Sequence, residues 1–536
     1  MLLIASGNSR DWINMNWEQP YASTRSPVCA EHMVATSQPL AVQAGLDAMR
    51  RGGNAVDAAL TTAITLTVVE PNNNGLGSDA FAIVWDGSEL IGLNASGRSP
   101  RTWTQERFAH HDEMPMLGWD AVTVPGAVSA WMMLSQRYGR LPFADLFDAA
   151  IGYARDGFLV GPKSAIYWKL AEQRFAEFEA FAEHFLPAPP AGTRFHRPEL
   201  ATTLETIANS DGQDFYHGTL AERIAQAAAS AGGGLTTSDL AEHRADWVSP
   251  IAQAYRGVAL HEIPPNGQGL AALIALGILN HLVPPEFESA DSVHVQLEIM
   301  KVATRAAVDH FADPGAMRVS VDELLDPESL STIARGIGKD AAPLPPASLP
   351  TGQDTVYLCA ADSEGMMVSF IQSNYMGFGS GIVIPGTGIS MQNRGTGFSL
   401  DPAHPNCVGP AKRPFHTIIP GFVTEAGVPR LSFGVMGGHM QHQGHFQMVQ
   451  RIFDHGQNPQ AASDAPRWYL DTDYSVLLEH GFSTSVADEL ARRGHRVSFH
   501  DGEHLFGGAQ LIYRDDDAGG YVAGSDHRKE GLAAGF

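Results

Sequence analysis

The stretch Ala341-Ala342-Pro343-Leu344-Pro345-Pro346-Ala347-Ser348-Leu349-Pro350-Thr351-Gly352, followed after Gln353-Asp354 by Thr355-Val356-Tyr357-Leu358-Cys359-Ala360, decides how this chain is read. Proline locks φ and lacks an N–H, so the first part holds neither a helix interior nor a central strand. The second part is rich in β-branched, aromatic and apolar residues and reads as a buried strand. So abrupt a change points to a cut between Asp354 and Thr355. Such a cut frees an α-amine on the residue that carries the hydroxyl. An α-amine has a reference pKa of ~7.7–8.0 and is a usable general base near neutral pH. A threonine whose own amine takes its proton is a competent nucleophile. A threonine after a proline-rich loop also reads as an ordinary strand-edge residue, and on these residues alone both readings stand.

Downstream, a turn at Asp362-Ser363-Glu364-Gly365 separates the Thr355 strand from a second one, Met366–Gln372. Further strands fit Phe422–Thr424 and Arg430–Phe433, and a helix is expected from about His439 to Asp454, after Gly437-Gly438. Upstream, 39–52 reads as an amphipathic helix, and Asn54 to Val69 as a helix apolar nearly all round, capped by Asn54. Phe81–Trp85 and Leu90–Asn94 are strands joined through Asp86-Gly87. From about 125 to 335 the signals are mainly helical, in Phe143–Arg155, Leu220–Ala231, Leu270–Leu282 and Val293–His310. Helix-rich then strand-rich sequence in one chain suggests mixed layers of helix and sheet. With 536 residues, 44 % apolar and 18 % charged, the chain has material for a large core. Its net charge of −24 argues against nucleic-acid or anionic-membrane partners.

From Thr355 onward the sequence resembles the small subunit of the γ-glutamyltranspeptidases, also called glutathione hydrolases, in Asp362, Gly365, Val368, Phe378-Gly379 and Gly381. Gly52-Gly53-Asn54-Ala55-Val56-Asp57-Ala58-Ala59 and Val69-Glu70-Pro71 are similar to the family's N-terminal signature. Phe215-Tyr216-His217-Gly218, Leu235-Thr236, Asp239-Leu240 and Tyr255-Arg256-Gly257 match its middle. Gly409-Pro410, Lys412-Arg413-Pro414, Met436-Gly437-Gly438, Ala465-Pro466-Arg467, Gly524-Ser525-Asp526 and Gly531-Leu532 match its second half. The resemblance implies an α+β fold, a four-layer αββα sandwich of the N-terminal-nucleophile hydrolase type, self-cleaved before Thr355. It implies a heterodimer of a large chain, 34–354, and a small catalytic chain, 355–536, together forming one domain, with further dimerisation open. Residues 1–33 are expected to form a poorly ordered extension, and Met15 is an alternative start to Met1. Thr355 is the implied nucleophile and base, and Gly437 and Gly438 the oxyanion donors. Ser373 falls where the family has a supporting hydroxyl, or is a polar residue at a strand end.

Departures from the family bear on the substrate. An arginine that binds the γ-glutamyl carboxylate falls at Ser96, and Arg98 follows two residues later. The family's asparagine is Tyr375, its glutamine Arg394, and its amine-binding aspartate Gly397. A serine pair is replaced by His416-Thr417, and the segment between Phe398 and Gly409 is short, as if a lid loop were missing. Losing the aspartate leaves a substrate ammonium without a partner, which is costly in a desolvated site. Arg394 adds a cation instead. The pattern resembles the cephalosporin-acylase-like members of the family and suits an anionic acyl group without an α-amine. Two readings stay open for Arg98 and Arg394: an anion site that takes the acyl group, or salt bridges in an acidic protein.

His439, His442 and His445 spread around a helix with no carboxylate placed to complete a metal set, so no metal is expected. No Walker, GxGxxG or Gly-x-Ser-x-Gly pattern occurs, and no cofactor is implied. Cys29, Cys359 and Cys407 show no metal-ligand spacing. No apolar run reaches the ~18 residues that a membrane span needs, and no basic leader precedes the N-terminal apolar residues. The expected address is the cytosol, and the expected partners are a small amide substrate, γ-glutamyl or otherwise anionic, and water or an amine acceptor. Three functions remain in view: a γ-glutamyl amidase or transferase, an acylase for glutaryl-like amides, and an unprocessed, non-catalytic relative.

Overall fold

The computed structural model describes Trp17, residues 24–344 and residues 354–536. Two seven-stranded sheets dominate it. One runs Leu532–Gly535, Met33–Thr36, Asp354–Ala361, Met367–Tyr375, Asp79–Trp85, Leu90–Asn94 and Asp246–Val248 in spatial order. The other runs Val28–Ala30, Gly520–Ser525, Gly508–Asp515, Val428–Met436, Gly421–Glu425, Val258–Glu262 and Ile251–Tyr255. The strand that Thr355 opens is central, with Met33–Thr36 on one side and Met367–Tyr375 on the other.

The near-continuous apolar sequence of this strand has a direct cause. Side chains alternate across a strand, and here both faces are covered. Tyr357, Cys359 and Ala361 point into a core shared with Phe422, Met436 and Ile512 of the other sheet. Val356, Leu358 and Ala360 point the opposite way, into a core shared with the helix Ala55–Val69. That helix is buried at every position, so it shows no polar face. Two of its threonines return their hydroxyls to the preceding turn, Thr62 to Ala58 O and Thr65 to Thr61 O, both at 2.7 Å. Asn54 and Asp57 form a capping box at its start. The outer face of the second sheet is covered by the helices Gly269–Leu279, Ala290–His310 and Met440–Val449.

The stretch read as mainly helical between 125 and 335 also holds five strands among the described residues, the short pair Phe158–Leu159 and Arg194–Phe195, then Asp246–Val248, Ile251–Tyr255 and Val258–Glu262. The last two form a hairpin through Arg256 and Gly257, at φ 45° and 94°. Arginine at a positive φ gives no usual hairpin signal, which is why the turn does not read from sequence. Phe143–Arg155 divides into a 3₁₀ turn, Phe143–Phe147, and a helix, Asp148–Asp156. Of the stretch expected to be a poorly ordered extension, 1–16 and 18–23 lie outside the described residues, whereas Val28–Ala30 pairs with Gly520–Ser525. No helix among the described residues is long and apolar enough to cross a membrane.

Candidate active site

Thr355 sits at an irregularity in the ladder. Asp354 opposes Tyr375 and Val356 opposes Gln372, so Ser373 and Asn374 together face the single residue Thr355. A bulge of this kind turns a side chain out of the regular pleat. Thr355 Oγ1 donates to Ser373 Oγ at 3.0 Å, and that hydroxyl also accepts the Tyr375 N–H at 2.8 Å. Both threonine and serine are buried. In this intact chain the Thr355 nitrogen is still an amide, joined to Asp354.

The turn after Ser373 is braced from below by Asn72–Gly77. Asn374 N donates to Asn73 O and Phe378 N to Asn72 O, while Ser78 Oγ donates to Asn374 Oδ1 at 2.8 Å. Within this turn Tyr375 and Phe378 take φ values of 80° and 58°. Tyr375 holds its ring under the Arg394 guanidinium, 4.5 Å from the ring centre.

Arg394 is 1 % exposed. Nη1 donates to Thr417 Oγ1 at 2.7 Å, but Nε and Nη2 find no hydrogen-bond partner among the described residues. Burial lowers this guanidinium to about 10, opposed by the negative charge of Asp79. Asp79 is itself pushed up to about 7 by burial, with Arg394 and the N–H groups of Gly97 and Gly126 working against the rise. His416 Nδ1 accepts from Ile418 N, which leaves Nε2 to donate to Asp79 Oδ2 at 3.2 Å. Burial, then Arg394 and Arg413, hold His416 far below its ordinary range, so it stays neutral. Asp79 escaped the sequence reading. Its one signal was a carboxylate opening an otherwise apolar strand.

Gly437 and Gly438 connect the strand Val428–Met436 to the helix Met440–Val449 at φ 119° and 56°. A Cβ on Gly437 would stand 2.9 Å from Gly507 Cα, so only glycine fits there. The carbonyls of the two glycines accept from Met440 N and Gln441 N. Thr355, Ser373, Tyr375, Arg394, His416 and Thr417 are thus linked by direct contacts or through Asp79. Arg98 is drawn elsewhere: its guanidinium lies 3.5 Å from Asp246, whose carboxylate also receives Arg413 Nη1 at 2.6 Å. A cleft of about 680 Å³ borders Thr396, Gly397 and Phe415, with Asp112, Glu113 and Asp309 on its walls. The short segment after Phe398 forms one side of it.

A family model described as Gamma-glutamyltranspeptidase matches residues 41–536. The chain belongs to the γ-glutamyltranspeptidase family. A glutathione hydrolase-like YwrD proenzyme from Bacillus subtilis is 35 % identical over 526 residues, covering 96 % of this chain and 100 % of its own length. An oxamate amidohydrolase proenzyme from Klebsiella pneumoniae is 37 % identical over 529 residues, covering 95 % of this chain and 99 % of itself. The crystal structure of a cephalosporin acylase from Bacillus halodurans matches with a TM-score of 0.94 at 46 % identity, covering 98 % of this chain and 99 % of that one. This γ-glutamyltranspeptidase-family chain is therefore an enzyme, a γ-glutamyltransferase-like amide hydrolase or acyl transferase with the mixed helix and sheet fold of the acylase.

The three helix histidines separate: His442 meets Gln268 and Thr304, His445 meets Glu262 at 2.6 Å, and His439 stacks on Phe415. Among the described residues one grouping brings donor atoms close enough to share an ion, His294, Glu298 and His495. Lys301 Nζ stands 2.6 Å from Glu298 Oε1 and already supplies positive charge there.

Proposed function

We propose that this enzyme cuts itself between Asp354 and Thr355 and then hydrolyses amides of small dicarboxylic acids that lack an α-amine, with the acyl carboxylate held by Arg394. The observation that carries the substrate class is the buried Arg394, with two nitrogens, Nε and Nη2, uncommitted, three residues before Gly397, where an amine-binding aspartate would be needed. Buried donors without partners cost free energy, and a carboxylate matches that fork. Two similar proteins, an oxamate amidohydrolase and a cephalosporin acylase, support the same class. The glutathione hydrolase-like relative keeps a γ-glutamyl substrate as the second reading.

In maturation, Thr355 Oγ1 attacks the Asp354 carbonyl carbon, the peptide C–N bond breaks as the Thr355 nitrogen takes the hydroxyl proton, and water hydrolyses the resulting ester to the Asp354 α-carboxylate and the free Thr355 hydroxyl. In turnover, Oγ1 attacks the substrate carbonyl, and its proton passes to the freed amine, directly or through water. The N–H groups of Gly437 and Gly438 stabilise the oxyanion. Collapse breaks the amide C–N bond, and the leaving amine takes the proton. Water or an amine acceptor then resolves the acyl ester on Thr355. Ser373 orients the nucleophile. The large chain, 34–354, and the small chain, 355–536, stay together as a heterodimer because each contributes strands to both sheets. The order of helices, sheet, sheet and helices supports the four-layer αββα sandwich.

Intact mass of the wild type beside Thr355→Ala tests the nucleophile. The expected result is two wild-type chains, the smaller of 182 residues from Thr355 to Phe536, and an uncut variant. A folded wild type that stays whole overturns the reading. Hydrolysis of glutaryl and γ-glutamyl anilides then separates the two substrates, since the glutaryl group lacks only the ammonium.

A further inference from the structure

Gln268 precedes the helix Gly269–Leu279 and is fully buried. Its Nε2 donates to two carbonyls from different parts of the site, Gly438 O at 2.8 Å and Thr417 O at 2.5 Å. Its Oε1 faces His442 Nδ1 at 2.9 Å, and His442 Nε2 meets Thr304 Oγ1 at 3.2 Å. The backbone joins in, because Gln268 N donates to His416 O at 3.0 Å.

Each group in this chain fixes the next. Two carbonyls require two donors, so the amide nitrogen must face Gly438 and Thr417. The amide oxygen then faces His442 and needs a proton on Nδ1. Burial lowers His442 to about 3, so it is neutral and carries one proton. Thr304, which can donate or accept, satisfies Nε2. A flipped amide would set its oxygen against two carbonyl oxygens and its NH₂ against the Nδ1–H, losing all three bonds.

The two carbonyls belong to functionally different residues. Gly438 is one of the two oxyanion donors in the proposed reaction, and Thr417 receives Arg394 Nη1 on its hydroxyl. We infer that Gln268 is a positioning residue that sets the separation between the oxyanion turn and the Arg394 anion site, and so the length of acyl chain accepted, while His442 fixes the direction of its amide. This inference rests on the proposed reading of Gly438 and Arg394. A ruler of this kind acts on specificity as well as rate, because scissile carbonyl and carboxylate must reach their sites together. A misplacement of about 1 Å is worth on the order of 100-fold in rate.

The test is a series of mono-amides of dicarboxylic acids that differ by one methylene, assayed with wild type, Gln268→Met, His442→Leu and His442→Asn. Asparagine puts its Nδ2 where the histidine Nδ1 stood and keeps the donor to Gln268. The expected wild type prefers one chain length. Gln268→Met and His442→Leu lower kcat/KM for that amide by about 10–100-fold and flatten the preference, whereas His442→Asn stays within about 3-fold. Intact mass shows in each case that the chain still cuts itself. Should Gln268→Met fail to fold, the histidine pair carries the comparison. A chain-length preference unchanged in His442→Leu or Gln268→Met overturns the inference, as does an asparagine variant no better than leucine. A cut wild type that is indifferent to chain length overturns it too. A wild type that stays uncut, or is cut but hydrolyses none of the series, refutes instead the nucleophile or substrate reading beneath it.

Discussion

Replacing Arg394 by methionine separates the anion-site reading from a structural one, because the two predict opposite signs. The guanidinium is buried, and burial brings it from 12.5 to about 10. At 1.36 kcal/mol per tenfold change, holding it charged costs the free protein about 3 kcal/mol. Methionine of similar reach removes that cost and can still lie against the Tyr375 ring. Asp79 then loses its largest counter-charge and rises further above 7, so at pH 6 it is neutral and adds no unpaired charge. Function goes the other way. Nε and Nη2 offer two charge-assisted hydrogen bonds at ~1.5–3 kcal/mol each, so their loss costs a carboxylate substrate about 100-fold or more in kcat/KM. The assay compares a glutaryl anilide with a neutral butyryl anilide, alongside thermal melting at pH 6. The expected variant loses the first activity, keeps the second within about 3-fold, and melts no lower than the wild type. Equal loss of both activities, or a melting temperature several degrees lower, would refute the reasoning and make Arg394 a structural cation.

The second prediction concerns acid stability. Burial alone would raise the Asp526 carboxyl, but Arg467 and Arg528 hold it well below its reference of 3.8. Its contribution is therefore complete above about pH 4 and lost as the pH falls, and Asp526→Asn costs about 3–5 kcal/mol at pH 7 by leaving two buried guanidiniums short of charge. Denaturant unfolding of wild type and variant between pH 3 and 7 checks it, since the gap between them must shrink towards acid. Gly437→Ala drives a Cβ into Gly507 and costs about 1–3 kcal/mol of strain. If the turn supplies the oxyanion donors, kcat falls about 100-fold in a chain that is still cut, read by intact mass and steady-state kinetics.

Local features read well from sequence because their causes lie within a turn or a pleat. The helix Ala55–Val69 is announced by its Asn54 cap and its unbroken apolar run, and the strand at Thr355 by the end of the proline-rich stretch. Gly437-Gly438 was legible as a break before a helix, and the structure puts it between the strand Val428–Met436 and the helix Met440–Val449. The hairpin at Arg256-Gly257 was not, since its positive φ falls partly on arginine and is imposed by the strands it joins.

Residue order alone carried the candidate nucleophile, the glycine turn, the family resemblance, and the replacement of the family's aspartate by Gly397 and of its glutamine by Arg394. What those residues touch came from the folded chain. Asp79 meets His416 across 337 residues, and Gln268 meets Gly438 across 170. Arg98, two residues from the family position, is turned to Asp246, while Arg394 is buried with two donors uncommitted. Periodicity and capping are short-range and survive in one dimension. The partner of a buried polar side chain depends on the register of strands far apart in the chain, and no local pattern encodes it.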